Sequence, residues 1–197
     1  MISVEYNNKE INSIIIENIL KMLSRRKIIN SFDNIINKFD FNNQIHEFKV
    51  SENVFSINII NGKISSILQG SPIDEYLSNN IDIHKILVIK EITRKVIKDI
   101  ISGYKNIELF LITELMEDIP SKVFIPEHQL LNKEQKIELL EKFSEHELSK
   151  ILVTDVMSRY YNAKIGDIFR IIRPSITAGK NIFYRKVVNG SWDILFS

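Results

Sequence analysis

The stretch from Ile168 to Val188 constrains this chain most. Ile168 to Arg173 reads as an apolar strand, and Ile182 to Val188 as a second strand carrying the aromatic-arginine pair Tyr184-Arg185. Between them lies a tight polar turn through Ser175, Thr177-Ala178 and Gly179. Glycine suits such a turn because it takes backbone angles closed to other residues. The residues upstream are also well punctuated. Val123-Phe124-Ile125 is a short strand stopped by Pro126, which has no N–H for a ladder. Asn132 and Gln135 have capping-box spacing, opening a helix whose inner face reads Ile137, Leu140 and Phe143. Thr154-Asp155 starts a short helix through Tyr160, and Ala163 to Asp167, with Gly166, reads as a turn.

The first half carries a different pattern. Ile11, Ile15, Ile19, Met22 and Leu23 recur at helical spacing from Lys9 to about Arg26, and Phe32, Ile35, Ile36 and Phe39 suggest a second helix. Phe55, Ile57 and Ile59 then alternate with Ser56 and Asn58, followed by Asn61-Gly62 and Lys63-Ile64. Strand, Asn-Gly, strand predicts a hairpin there. Ile86 to Ile89 is a continuous apolar run, expected as a strand buried on both faces. Thr93 is placed to cap a helix with inner residues Val96, Ile97, Ile100 and Ile101, ending at Gly103. The apolar stretch Ile107 to Met116 is broken by Glu117 to Ser121, so the domain boundary is expected there, giving domains 1–120 and 121–197. The fold class is α/β, more closely α+β, in two domains.

Composition narrows the function. With no cysteine among 197 residues there is no disulfide framework and no thiolate zinc site, and the four histidines lack ligand spacing. A net charge of +1 does not mark a nucleic-acid binder, so any DNA contact must come from a local patch. No apolar run reaches the ~18–20 residues of a membrane span, and no secretory signal pattern opens the chain. A soluble intracellular protein without membrane contact is the expectation. Abundant Ile, Asn and Lys reflect an AT-rich coding bias.

From Ile107 to Val188 the residues resemble the family of the fifth subunit shared by eukaryotic RNA polymerases I, II and III, together with its archaeal counterpart. Leu109 to His128, Glu134 to Phe143, Thr154 to Tyr160, Gly166-Asp167 and Arg173 to Arg185 carry the likeness in order and spacing. The resemblance implies a nuclease-like N-terminal jaw domain without an active site, and a small mixed α+β docking domain. It implies a non-catalytic structural subunit with no cofactor and no metal, docking on the largest subunit beside neighbouring subunits. Its partner-binding residues would be Pro126, His128, Arg159, Tyr160, Gly166, Arg173, Ser175, Thr177, Gly179, Tyr184 and Arg185. The jaw would reach downstream duplex DNA through Lys90, Thr93, Arg94 and Lys95, with Arg94 where the family has proline. Val156 replaces the family's proline after Asp155, Ile176 replaces a glutamate, and the chain continues past Val188. These departures point to a divergent copy from a large DNA virus or an AT-rich eukaryote. It would act in the nucleus if cellular, and in a cytoplasmic viral factory or virion if viral.

Each residue also has a plainer reading. The cations at Lys90, Arg94 and Lys95, and those at Arg25-Arg26-Lys27, suit either phosphate or a solvated helix face. His128 reads as a hydrogen-bonded structural histidine, and Tyr160, Phe183 and Tyr184 as core. Arg159, Arg173 and Arg185 either brace the domain or present guanidinium forks to a partner. Glu47-x-Lys49, with Asp33 or Asp40, matches the metal-binding pattern of a small Mg²⁺-dependent nuclease, the alternative function. In the tail, 189–197, Trp192, Ile194 and Phe196 alternate with their neighbours after Asn189-Gly190, which predicts an added strand.

Overall fold

The computed structural model describes residues 6–30, 33–37, 39–175 and 179–192, without the side chains of residues 33 and 34. The chain divides into two compact units, residues 1–118 and 119–197. Each mixes helices with its own four-stranded sheet.

In the first unit, α1 (Asn8–Arg25) starts on a capping box in which Asn7 and Glu10 satisfy each other's backbone N–H. Ile15, Ile16, Ile19, Leu20, Met22 and Leu23 are wholly buried, a wider apolar face than the sequence spacing alone outlines. After the single turn of α2 (Asp33–Ile36), β1 (Ile45–Val50) and β2 (Asn53–Ile64) pair antiparallel. The helix α3 (Pro72–Ser78) then crosses to β3 (His84–Ile92), and α4 (Arg94–Gly103) crosses to β4 (Ile107–Leu111). Both crossovers give parallel pairs, in the order β1-β2-β3-β4. The short α5 (Ile112–Leu115) follows. Ile86 to Ile89 have no exposed surface, as a strand covered on both faces requires.

Three expectations for this unit are corrected. Asn61-Gly62 is not a hairpin turn: β2 runs through it, and the register against β3 shifts between Ile60 and Lys63 as at a bulge. The hairpin instead turns at Ser51-Glu52, with Ser51 at φ 53°, because its partner strand is β1. Thr93 occupies the N-cap of α4 but makes no capping bond, its hydroxyl lying 3.4 Å from the Ser65 carbonyl. Ile101 is 43% exposed, since the face set by Val96, Ile97 and Ile100 has already turned past it.

Two buried charges tie the unit together. Arg26 lays its guanidinium on both oxygens of Glu108, at 2.7 and 2.6 Å, and His84 Nε2 meets the same carboxylate at 2.5 Å. The arginine and glutamate side chains are 5% and 8% exposed. Burial alone would raise the Glu108 carboxyl. The His84 hydrogen bond and the charge and fork of Arg26 outweigh it and hold the pKa down to about 2. Arg25 likewise grips Asp118, at 2.5 and 2.6 Å. Of the cations read as phosphate contacts at the end of α1, Arg26 is thus an internal brace, Arg25 is exposed but paired with Asp118, and Lys27 is exposed. Lys85, buried in β3, donates its ammonium to the Leu77 and Asn79 carbonyls at the end of α3.

The second unit contains β5 (Glu127–Leu130), α6 (Lys133–Lys142), β6 (Ser149–Leu152), α7 (Val156–Tyr160), β7 (Ile168–Ser175) and β8 (Gly179–Val188). The order is β5-β7-β8-β6, antiparallel except for β6 against β8. The turn residues 176–178, with Thr177, lie outside the described residues. One sheet face buries Ile151, Ala163, Phe169, Ile171 and Val187, and the other packs Ile168 on Leu139 and Leu148.

Two further corrections arise here. Residues 123–125 are a turn, with Val123 and Phe124 exposed, and the strand begins after Pro126. The capping box of α6 forms, but its buried residue is Leu139, whereas Ile137 and Phe143 stand outward. In the tail, Trp192 is half-buried with Arg159 5.9 Å from its ring, and the alternation read at 193–197 lies outside the described residues.

Two stability outcomes follow. The Glu108 carboxyl is lower in the folded chain than its ordinary 4.5, so its stabilisation is complete above pH 4.5 and disappears as pH falls through about 2. Glu108→Gln should cost ~3–5 kcal/mol at neutral pH, because it strands the buried Arg26, and should flatten that acid limb. Denaturant midpoints measured across pH for both chains check this. At Gly190, an added Cβ would meet Thr154 Oγ1 at 2.8 Å and Leu152 Cβ at 2.9 Å. Gly190→Ala should therefore lower stability by ~1–3 kcal/mol, read as a drop in melting temperature.

Candidate partner-docking site

On the face of the second sheet that carries Ile171, strand alternation brings Ile171 and Arg173 of β7 together with Phe183 and Arg185 of β8. His128 of β5 stands opposite Ile171 in the ladder, and Ser149 of β6 opposite Arg185. These residues line a concavity of about 330 Å³, with Pro126, Ile151 and the start of α7, Asp155 to Met157. The start of α7 is held by Asp155, whose Oδ1 accepts the Met157 N–H at 2.8 Å.

The chemistry of the lining is apolar below and cationic at the edges. Ile151, Met157 and Ile171 are buried, while Phe183 is 45% exposed. Arg173 sits over Phe183, 5.9 Å from the ring centroid. His128 Nδ1 donates to the Pro126 carbonyl at 2.7 Å, and its ring meets Phe169 edge-on. Burial pushes the imidazole pKa below its ordinary value, helped by Arg185, while the Pro126 carbonyl and Asp155 pull the other way. A neutral ring with its proton on Nδ1 is the state this arrangement favours. Such a surface can bind an apolar side chain with acidic neighbours.

Of the residues named from the sequence, Pro126, His128, Arg173 and Arg185 meet in this concavity. Ser175 and Gly179 close the open end of the β7–β8 ladder, with Gly179 at φ 71°. Tyr184 points to the opposite face, in a second hollow of about 250 Å³ with Leu139, Phe143 and Arg170. Gly166, at φ 93°, donates to the Val187 carbonyl and accepts the Lys136 ammonium. Tyr160 and Arg159 are buried, and Arg159 Nε donates to the Thr154 carbonyl at 3.0 Å, so its bracing role is the one realised. Ile171, Phe183 and Met157 were missed as site residues. The first two stand two residues from Arg173 and Arg185, so strand alternation could have found them.

In the first unit, Lys90, Arg94 and Lys95 are exposed around Thr93, where β3 gives way to α4. Glu47 and Lys49 are exposed on one side of the edge strand β1. Asp40 accepts hydrogen bonds from the backbone and side chain of Asn42, and Asp33 falls in α2. Among the described residues no three His, Cys, Asp or Glu side chains lie together as metal ligands would, and no helix is long and apolar enough to cross a membrane.

The family model for the C-terminal domain of RNA polymerase Rpb5 matches residues 117–187. A DNA-directed RNA polymerase subunit 5 of Acanthamoeba polyphaga mimivirus is 31% identical over 201 residues, covering 95% of this chain and 97% of that protein. Subunit rpabc1 of RNA polymerases I, II and III from Dictyostelium discoideum is 40% identical over 85 residues, covering 42% of this chain and 43% of that protein. Archaeal subunit Rpo5 from Archaeoglobus fulgidus is 41% identical over 68 residues, 34% of this chain and 90% of its own length. A likeness that runs nearly end to end with the viral subunit, and concentrates in the unit that carries the concavity, means that the chain belongs to the RNA polymerase subunit 5 family.

Proposed function

We propose that this chain is a non-catalytic subunit of a multisubunit DNA-directed RNA polymerase, docking on the largest subunit through its C-terminal unit. The near full-length similarity to a viral subunit 5 carries this reading. Support for the docking face comes from the second unit, where an apolar floor with exposed Phe183 lies between Arg173 and Arg185. Exposed apolar surface rimmed by guanidinium groups is the composition of a protein interface, because burial supplies affinity and the charges select the partner. The first unit acts as the jaw and faces downstream duplex DNA. Lys90, Arg94 and Lys95 stand exposed about the start of α4, where backbone N–H groups also favour phosphate. The subunit works where its polymerase works, in the nucleus of a cell or in the factory or virion of a large DNA virus.

Tagged full-length chain should capture the largest subunit from native extract, with partners identified by mass. Phe183→Asp should abolish capture, whereas Leu68→Asp, at an exposed position of the first unit, should leave it intact. Loss with Leu68→Asp alone would reverse the roles of the two units.

Neutralising Lys90, Arg94 and Lys95 should leave assembly unchanged. In the assembled enzyme, each lost phosphate contact should reduce the salt slope of duplex binding by roughly 0.9. An unchanged slope would leave these cations as a solvated surface.

A further inference from the structure

The register of β7 against β8 says what kind of segment the concavity fits. Ile171 pairs with Phe183 at its centre. Arg173 lies two residues along from Ile171, and Arg185 lies two residues from Phe183 in the opposite direction along the ladder. The two arginines therefore bracket the apolar pair diagonally, about 13 Å apart measured along the strands at ~3.3 Å per residue. Arg173 folds inward over Phe183, which shortens the span between the guanidinium groups.

Among the described residues no carboxylate pairs with Arg173 or Arg185. Asp155 is the only carboxylate among the described residues of the lining, and its Oδ1 is already taken by the Met157 N–H. His128 adds no negative charge. A basic segment would be repelled, and a wholly apolar one would cover two guanidinium groups without satisfying them. A nucleic-acid backbone would satisfy the arginines but leave Ile171, Phe183 and Met157 facing phosphate.

We infer that the concavity recognises an extended acidic segment of a partner subunit in which two carboxylates, four residues apart, flank an apolar side chain at the position midway between them. The apolar side chain sits on Ile171 and Phe183, and the carboxylates meet Arg173 and Arg185. Alternate residues of an extended segment share one face, which brings all three groups to the sheet together. The inference rests on the docking role proposed above and specifies its partner chemistry.

Overlapping synthetic peptides tiling the polymerase's largest subunit, probed with the full-length chain, test it. The captured peptides should share two Asp or Glu residues around an apolar residue. Arg173→Glu and Arg185→Glu should each weaken capture by about tenfold or more, as for charges meeting across an interface. Lys142→Glu, at the hollow on the opposite face, should not. Equal melting temperatures establish that the variants fold, and Arg185→Gln serves if the reversal does not. Captured peptides lacking acidic residues, or capture indifferent to both reversals, would overturn the inference. If Phe183→Asp still released the whole subunit, the docking role would stand. Displacement of the peptides by duplex DNA competing at Arg173 and Arg185 would make this a nucleic-acid site instead. No capture of the largest subunit by the unaltered chain would overturn the docking role and the inference with it.

Discussion

The antiparallel ladder between Ile168–Ser175 and Gly179–Val188 is the constraint on which the docking unit depends. Its register sends Ile168, Arg170 and Tyr184 to one face and Phe169, Ile171, Arg173, Phe183 and Arg185 to the other. A slip of one residue would exchange the two sets, burying arginines under α6 and exposing core. Both edges of the unit reinforce this choice. β5 joins β7, and β6 adds in parallel to β8. The Gly166-Asp167 turn ties into the end of β8, with Gly166 donating to Val187 and Val187 donating to Asp167. The face that carries the arginines is then covered only in part. Ala163 and Tyr161 pack over one stretch, and the remainder is the concavity.

In the first unit, charge is directed inward. Arg26, Glu108 and His84 form one buried cluster, Arg25 holds Asp118, and Lys85 serves the end of α3. Buried partners such as Arg26 and Glu108 contribute little net stability against well-packed apolar residues, yet removing either one is costly. Their effect is therefore to specify arrangement: α1 cannot shift along β4 without stranding a charge. The exposed cations at Lys90, Arg94 and Lys95 belong to a different class, since they stand at the surface of the β3–α4 junction. A nearly neutral chain can still offer a local cationic surface.

Much of this was legible in the residues because it is local. The capping box at Asn132, the Asp155 cap, the buried run Ile86–Ile89 and the β7–β8 hairpin depend on neighbours a few residues apart. The misread strands and turn share one cause, which is pairing with a distant strand, whereas Thr93, Ile101, Ile137 and Phe143 were misplaced on helices read correctly. Asn61-Gly62 carries a strong turn signal, but pairing with β3 absorbs it as a register shift. The true hairpin partner, β1, carries a shorter pattern in which His46 and Phe48 alternate with Glu47 and Lys49. β6 exposes three of its four residues and so carries almost no apolar pattern. Val123 and Phe124 look like a strand by composition, yet Pro126 and the geometry of β5 place pairing after them.

The sequence by itself determined the helices α1, α4, α6 and α7, the strands β3, β7 and β8, and the family likeness, since caps, periodicity and motif order are written in contiguous residues. Only the tertiary structure decided which arginines are braces and which are presented. Arg26 meets a carboxylate 82 residues away and Arg159 is buried, whereas Arg173 and Arg185 emerge at the edges of a concavity beside exposed Phe183. Each of those outcomes depends on what packs against a side chain from elsewhere in the chain, and the spacing of the residues themselves does not record it.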